Sequence, residues 1–452
     1  MENFDIKVGF SRIDITPPNG VEMPGYFIDR FSSGVIDNLE INAVAIQKDL
    51  EPIFLVTLDN EGAVTRYIND VKDYLEREIG VKKHNVFIQS THSHTSGRLD
   101  VDSQLSNEVD KNYSNQVKVK IGKAIELAYA DLKPAKMGVA VSKAEKIGFN
   151  RRYLMKDGSV KTNPGVNNPD IVKAIGLLDE RLNVIRFLRE DGSNIILANY
   201  GNHPDTVGGD KISGDWPTLS RRTTERALEN AKCVFFNGAL GDINHVNVQP
   251  KENDLNDMIL DFDDVSRGYS HTKHMANVVA GGILSVYEKV LWQKVDGVKG
   301  VIKTINIPSN MPKKEELENA HYVVEMHKAG KDSQLPYEGM MLTTVVAEAL
   351  RMVKYENGPE FLPLNLHAIK IGDVAFLGIP GEPFTGVGMG LKESKEFSLV
   401  CPCSMANGND GYFPMQDSYD EGGYEARSSE FKPGVAELII KEGLTLLSEI
   451  NK

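Results

Sequence analysis

The sequence predicts an α/β fold with a mixed β-sheet core flanked by helices and a site at the carboxyl ends of strands. Three observations predict it. Short continuous apolar runs recur along the 452 residues, the pattern of strands buried on both faces. Nearly every run passes at once into a loop bearing His, Glu, Asp, Asn or Tyr. Helical periodicity appears over Glu315 to Lys328, Met341 to Lys354 and Val435 to Leu447.

In chain order, Phe54-Leu-Val-Thr-Leu-Asp59 is an early run. Val86-Phe-Ile88 follows, ending in Gln89-Ser-Thr-His92-Ser-His94-Thr-Ser-Gly97. Side chains two apart on a strand share a face, so both imidazoles can converge just past the strand end. Taken alone, the pair fits a metal site or two hydrogen-bonded histidines in a polar loop equally well. Ile195-Ile-Leu-Ala198 leads to His203, which Pro204 holds extended. Cys233-Val-Phe-Phe236 enters Asn237-Gly-Ala-Leu-Gly241-Asp242-Ile-Asn244-His245, where glycines allow close backbone approach to a ligand. Residues from about 296 to 360, with a strand around Val301 to Ile307 and two helices, form a peripheral inserted segment within the domain. Val374-Ala-Phe-Leu377 precedes Pro380-Gly-Glu382, and Leu399-Val400 leads through Met405 to Tyr412. Strand ends from position 92 to 412 share one crevice, so residues 1–452 read as a single domain. Imidazole and carboxylate donors without thiolate suit Zn²⁺ in an open catalytic site, one per chain, or a harder ion such as Mn²⁺.

The same stretches carry a resemblance. Val8-Gly-Phe-Ser-Arg-Ile-Asp-Ile-Thr-Pro17, Met23-Pro-Gly-Tyr26, Thr91-His-Ser-His-Thr95, Asn202-His-Pro204 with Ile212-Ser-Gly-Asp215, Gly241-Asp242, Pro380-Gly-Glu382 and Gly411-Tyr412 with Gly423-Tyr-Glu425 stand in one order. In that order the chain resembles the catalytic domain of the neutral/alkaline non-lysosomal ceramidases. The resemblance implies that His92, His203 and Glu382 bind zinc together with a tyrosine, assigned to Tyr412, with Tyr419 as the competing choice. It places His94 beside the metal, shuttling a proton or holding a substrate carbonyl, and implies hydrolysis by metal-activated water.

Departures redirect the expectation. The family's serine two residues after Gly-Asp is Asn244 here, so covalent serine catalysis is excluded there. Its amide could serve an oxyanion, and His245 adds an imidazole. Ser96-Gly-Arg98-Leu-Asp100 replaces a Gly-Pro-rich stretch and sets a cation and an anion at the mouth. A small polar substrate is therefore expected rather than a lipid, with Arg98, Arg151, Arg152, Asp215 and Tyr419 as binding groups. Paired guanidinium forks at Arg151-Arg152 suit a carboxylate or sugar hydroxyls, or else an internal ion pair. The C-terminal β-domain of full ceramidases is expected to be absent.

A net charge of −13 argues against nucleic acid and anionic membranes. No apolar run reaches membrane-spanning length, and the start lacks a signal-peptide pattern. With three cysteines, a cytoplasmic protein is expected; homo-oligomerisation is left open. His271 and His274 can share a helical face as a second metal pair or simply begin an ordinary helix. Three readings follow: a zinc-dependent hydrolase of an amide or related carbonyl bond, a carbohydrate-active enzyme on the same metal with His94, Asp242 or His245 as acid or base, and a non-catalytic zinc-stabilised protein.

Overall fold

The strands that the apolar runs announce divide between two sheets packed face to face. The computed structural model describes residues 4–100, 106–254 and 257–452. The larger sheet comprises β1 (Ile6–Asp14), β2 (Glu40–Gln47), β3 (Ile53–Leu58), β4 (Val86–Ser90), β5 (Lys133–Lys143), β6 (Arg181–Arg189), β7 (Asn194–Tyr200) and β8 (Ala231–Asn237). Their order is β8-β7-β6-β5-β1-β2-β3-β4, with the short strand Leu291–Gln293 beside β5. The second sheet runs β9 (Val298–Pro308), β10 (Phe361–Ile371), β11 (Val374–Gly378) and β12 (Leu399–Cys403). The expected mixed character is present: β3 with β4, β7 with β8 and β11 with β12 pair in parallel, while β6 with β7 and β9 with β10 pair antiparallel.

Period-two alternation explains why the runs are apolar throughout. Ile195 and Leu197 of β7 enter the layer between the sheets with Phe236, Ile369 and Phe376. Their neighbours Ile196 and Ala198 face outward. Along β3, β4, β7, β11 and β12 every residue is buried, so both faces are covered and no polar stripe is left to read. The outer face of the larger sheet is covered at one end by α1 (Thr65–Tyr74) and α2 (Glu108–Ala130), and at the other by α3 (Asp215–Ala227) and α4 (Tyr269–Val286). After β9, α5 (Lys314–Lys328) and α6 (Gly339–Lys354) bury their apolar faces on each other, with Phe27 packed alongside. The second sheet's outer face carries α7 (Thr385–Lys392) and α8 (Val435–Asn451). The result is four layers, helix, sheet, sheet, helix. β9 pairs along its whole length with β10, so the strand of the 296–360 region lies in the second sheet while its helices form a separate cluster.

Carboxyl ends from both sheets are tied together by buried amides. Gln89 Nε2 donates to the carbonyls of Asn237 (2.7 Å) and Ser404 (2.6 Å). Asn237 Nδ2 donates to those of Thr91 (2.9 Å) and Asn202 (3.0 Å). Residues following β4, β7, β8 and β12 are thereby held at one edge.

Candidate metal centre

β4 stops at Ser90, and the chain turns through His92, whose φ of 75° is left-handed. That turn, rather than strand alternation, folds His92 and His94 towards each other, their rings 4.8 Å apart. His203 follows β7 by way of Gly201 and Asn202, and its ring lies 5.0 Å from that of His92. Ligand nitrogens of His92, His94 and His203 all fall within 4.8 Å of one another, and all three residues are buried. Glu382 enters from the second sheet. It stands 3.0 Å from His203 Nε2 and 3.5 Å from His92 Nε2.

Tautomers decide what this cluster can hold. His92 Nδ1 donates to the carbonyl of Glu61 at 2.6 Å. His203 Nδ1 donates to those of Leu240 and Ile243, both at 2.9 Å. With the Nδ1 protons committed, both Nε2 lone pairs point at the Glu382 carboxylate; His203 Nε2 and Glu382 Oε2 are buried without a hydrogen-bond partner among the described residues. Acceptors facing acceptors need a positive charge between them, either a proton or a cation. The titration behaviour agrees. Burial opposes charge on His92, yet Glu382 prevails and lifts its pKa to about 9. Burial likewise opposes ionisation of Glu382, and His92 and His203 hold it well below the carboxylate range all the same.

Tyr412 is placed by register: Glu382-Pro383 and Tyr412-Phe413 pair in parallel, Glu382 beside Tyr412. Arg151 Nη2 donates to the Tyr412 hydroxyl at 3.1 Å and to the Gly241 carbonyl at 2.7 Å, while its Nε meets Glu425 at 2.6 Å. Gly241 is required for this approach, since a Cβ there would lie 2.5 Å from the Glu382 carbonyl oxygen. Burial and Glu382 push the phenol pKa well up, with Arg151 opposing them. His94 is backed by Asp205, whose Oδ1 is 4.0 Å from His94 Nδ1. Arg267 grips Asp205 with two bonds of 3.0 and 2.6 Å, and the Tyr26 hydroxyl donates to it. Against burial, Arg267 holds Asp205 ionised far below the usual range, whereas burial keeps His94 neutral, its pKa well below 6.5.

These groups open on a cavity of about 250 Å³ lined by His92, His94, Glu382, Tyr412, Tyr26 and Glu61 among others. Arg98 also lines it, with its Nε 2.8 Å from Glu22.

A crystal structure of neutral ceramidase from Pseudomonas aeruginosa superposes with a TM-score of 0.76 at 16% identity, covering 100% of this chain and 75% of that one. The fold is ceramidase-like. A ceramidase complexed with C2 gives 0.73 at 14% identity, covering 99% and 75%. No family model and no curated protein sequence matches the chain.

Within this ceramidase-like fold, several expected site residues lie elsewhere. The Tyr419 hydroxyl meets Ser429 (3.0 Å) and donates to the Phe431 carbonyl (2.8 Å), and its ring packs against the second-sheet core. Arg152 is consumed by Ser418 and Glu421, and Arg151 serves Tyr412 and Glu425. Asp242 accepts from Thr385 N at 2.7 Å and Asn150 Nδ2 at 3.2 Å, which fixes the start of α7. Asn244 pairs with Phe149 in a short antiparallel ladder that turns its amide to Asn163 (2.8 Å). His245 donates to Ser266 and faces a different cavity. Asp215 accepts from Thr206 N and Val207 N, both at 2.9 Å, and Trp216 Nε1 donates to the His203 carbonyl at 3.1 Å; these two shape the His203 loop from behind. Glu61 and Asp205 went unread in the sequence. Glu61 follows the apolar run ending at Asp59, so the strand-end rule that exposed His92 also reaches it. Asp205 has a weaker signal, two residues beyond His203.

Proposed function

We propose that this chain is a metal-dependent hydrolase that cleaves an amide or related carbonyl bond of a small polar substrate. One observation carries the reading: Nδ1-anchored imidazoles aim their Nε2 lone pairs at a buried carboxylate, which calls for a cation at their meeting point. His92, His203 and Glu382 would hold it, with Tyr412 as a further donor. Nitrogen and oxygen donors favour Zn²⁺, and the buried cysteines Cys233, Cys401 and Cys403 belong to the sheets rather than the cavity. When bound, zinc supplies Lewis acidity and makes water nucleophilic near neutral pH.

His94 does the proton work. It is neutral at rest and so able to accept a proton on Nε2, the nitrogen facing the cluster, 3.3 Å from His92 Nε2. Asp205, ionised and clamped by Arg267, lies behind its Nδ1 and stabilises the imidazolium that forms. Arg151 orients Tyr412, and the surrounding burial excludes bulk water. The ceramidase likeness supports hydrolysis of an amide, and the size of the cavity supports a substrate smaller than a two-chain lipid. A second reading, an N-acyl amino sugar or glycoside, is favoured by Tyr26, Phe27 and Tyr424 lining the cavity beside Glu61 and Asn409, since aromatic faces and polar hydroxyl-binding groups together suit a sugar.

The test is metal content by elemental mass spectrometry on wild type and His92→Ala, followed by screening of amides, lactones and glycosides. About one zinc per chain, lost in the variant, together with zinc-dependent turnover, is expected. Metal-free wild type that stays inactive when zinc is added would refute the proposal.

A further inference from the structure

We propose a second metal site, formed by His245 Nδ1 and His271 Nε2, which takes a late first-row divalent cation such as Cu²⁺, Ni²⁺ or Zn²⁺. His245 lies at the end of the loop that follows β8. Its Nε2 donates to the Ser266 carbonyl at 2.7 Å, which leaves a lone pair on Nδ1. That nitrogen belongs to a residue only 1% exposed and has no hydrogen-bond partner among the described residues. His271, in the first turn of α4, has its Nε2 buried and unpartnered in the same way.

The two rings are 5.6 Å apart, within the 4.8–5.8 Å range of the three imidazole pairs in the first cluster. His274, one turn along α4, places its ring 5.8 Å from that of His271. All three line a cavity of about 720 Å³, with Asp254 on its wall, so a cation bound by two imidazoles keeps room for water or a carboxylate at its other positions. An unmatched buried nitrogen destabilises the fold, and one cation satisfies both. Burial holds His245 at about 3 and His271 at about 4, so neither has a proton to give up when metal arrives. Imidazole donors without thiolate follow the order in which Cu²⁺ binds most tightly.

The site adjoins the first through the chain itself. His245 belongs to the loop whose Leu240 and Ile243 carbonyls accept the His203 Nδ1 proton. A cation on His245 would therefore steady the loop that fixes the His203 tautomer.

The experiment is a Cu²⁺ titration of the metal-free, untagged full chain, followed by electron paramagnetic resonance, with near-UV circular dichroism as the check on folding. Wild type is expected to take up two equivalents, the second showing coupling to imidazole nitrogen. His271→Gln, at a half-buried position that tolerates an amide, should bind one. His92→Ala should keep the second signal while the first is lost, which separates this site from the catalytic proposal. A single equivalent in wild type that His92→Ala abolishes, as a water bridging the two nitrogens would give, overturns the inference. So does a second equivalent that persists in folded His271→Gln and His245→Gln.

Discussion

At the residue scale, the proposed function divides labour between groups that would hold the cation and a group that would move protons. His203 is fixed at Nδ1 by two carbonyls, which leaves its Nε2 facing the Glu382 carboxylate at 3.0 Å. His203→Ala is therefore expected to lose metal and activity together. His94 has Asp205 behind it at 4.0 Å, and its removal leaves His92, His203 and Glu382 in place. His94→Ala should retain metal while kcat falls by about 10²–10⁴; elemental analysis and kinetics on the same preparation check both. Normal turnover in His94→Ala would remove it from the mechanism, and loss of metal would make it a ligand instead.

At the scale of the element, loops rather than strands do the aiming. Gly25 adopts a φ of +100° and sits under His94, where a Cβ would lie 2.7 Å from Nδ1. Gly25→Ala adds both backbone strain and a clash. A stability loss of about 1–3 kcal/mol is expected by denaturant unfolding, with metal content preserved and kcat reduced at least tenfold as His94 is displaced. An active, equally stable Gly25→Ala protein would show that His94 can yield without consequence.

Across the whole molecule, acid should unfold the protein through histidines that are buried neutral. His367 is satisfied as a neutral ring, its Nε2 donating to the His84 carbonyl at 2.8 Å and its Nδ1 accepting from Asn407 at 3.1 Å. Burial holds its pKa well below 6.5, and that of His245 at about 3. Unfolding lets both take up protons below pH 6.5, so the unfolded state binds more protons and stability falls as pH falls. The slope is about 1.4 kcal/mol per pH unit for each histidine, from about pH 6.5 down towards their folded pKa values. Urea midpoints at pH 7.5, 6 and 5 should decline in step, and a flat profile would contradict neutral burial. Chelation tests a separate property. The proposed metal site caps an edge already held by Gln89 and Asn237, so a chelator should abolish turnover and shift Tm by only a few degrees. Collapse of the fold on chelation would favour a structural zinc.

The sequence alone determined the mixed α/β class, the strands β3, β4, β7, β8, β9, β11 and β12, and the four residues His92, His94, His203 and Glu382 that the fold brings together, while β1, β2, β5, β6 and β10 went unread. Apolar runs such as Val86-Phe-Ile88 and Val374-Ala-Phe-Leu377 admit little but buried strand, and His92, His94, His203 and Glu382 each follow such a run within a few residues. It could not tell that these runs fill two stacked sheets, because a strand covered on both faces looks the same whether a helix or another sheet lies against it. Nor could it sort polar residues that share one loop. Asn244 and His245 follow Gly241-Asp242 as closely as any catalytic pair, yet a two-residue ladder with Phe149-Asn150 turns them away. Of the assigned Tyr412 and its competitor Tyr419, the parallel pairing sets Tyr412 beside Glu382, while the Tyr419 hydroxyl turns to Ser429 and the Phe431 carbonyl. Only the tertiary structure decided such matters, because the direction of a loop side chain depends on hydrogen bonds to partners more than a hundred residues away, which local periodicity does not encode.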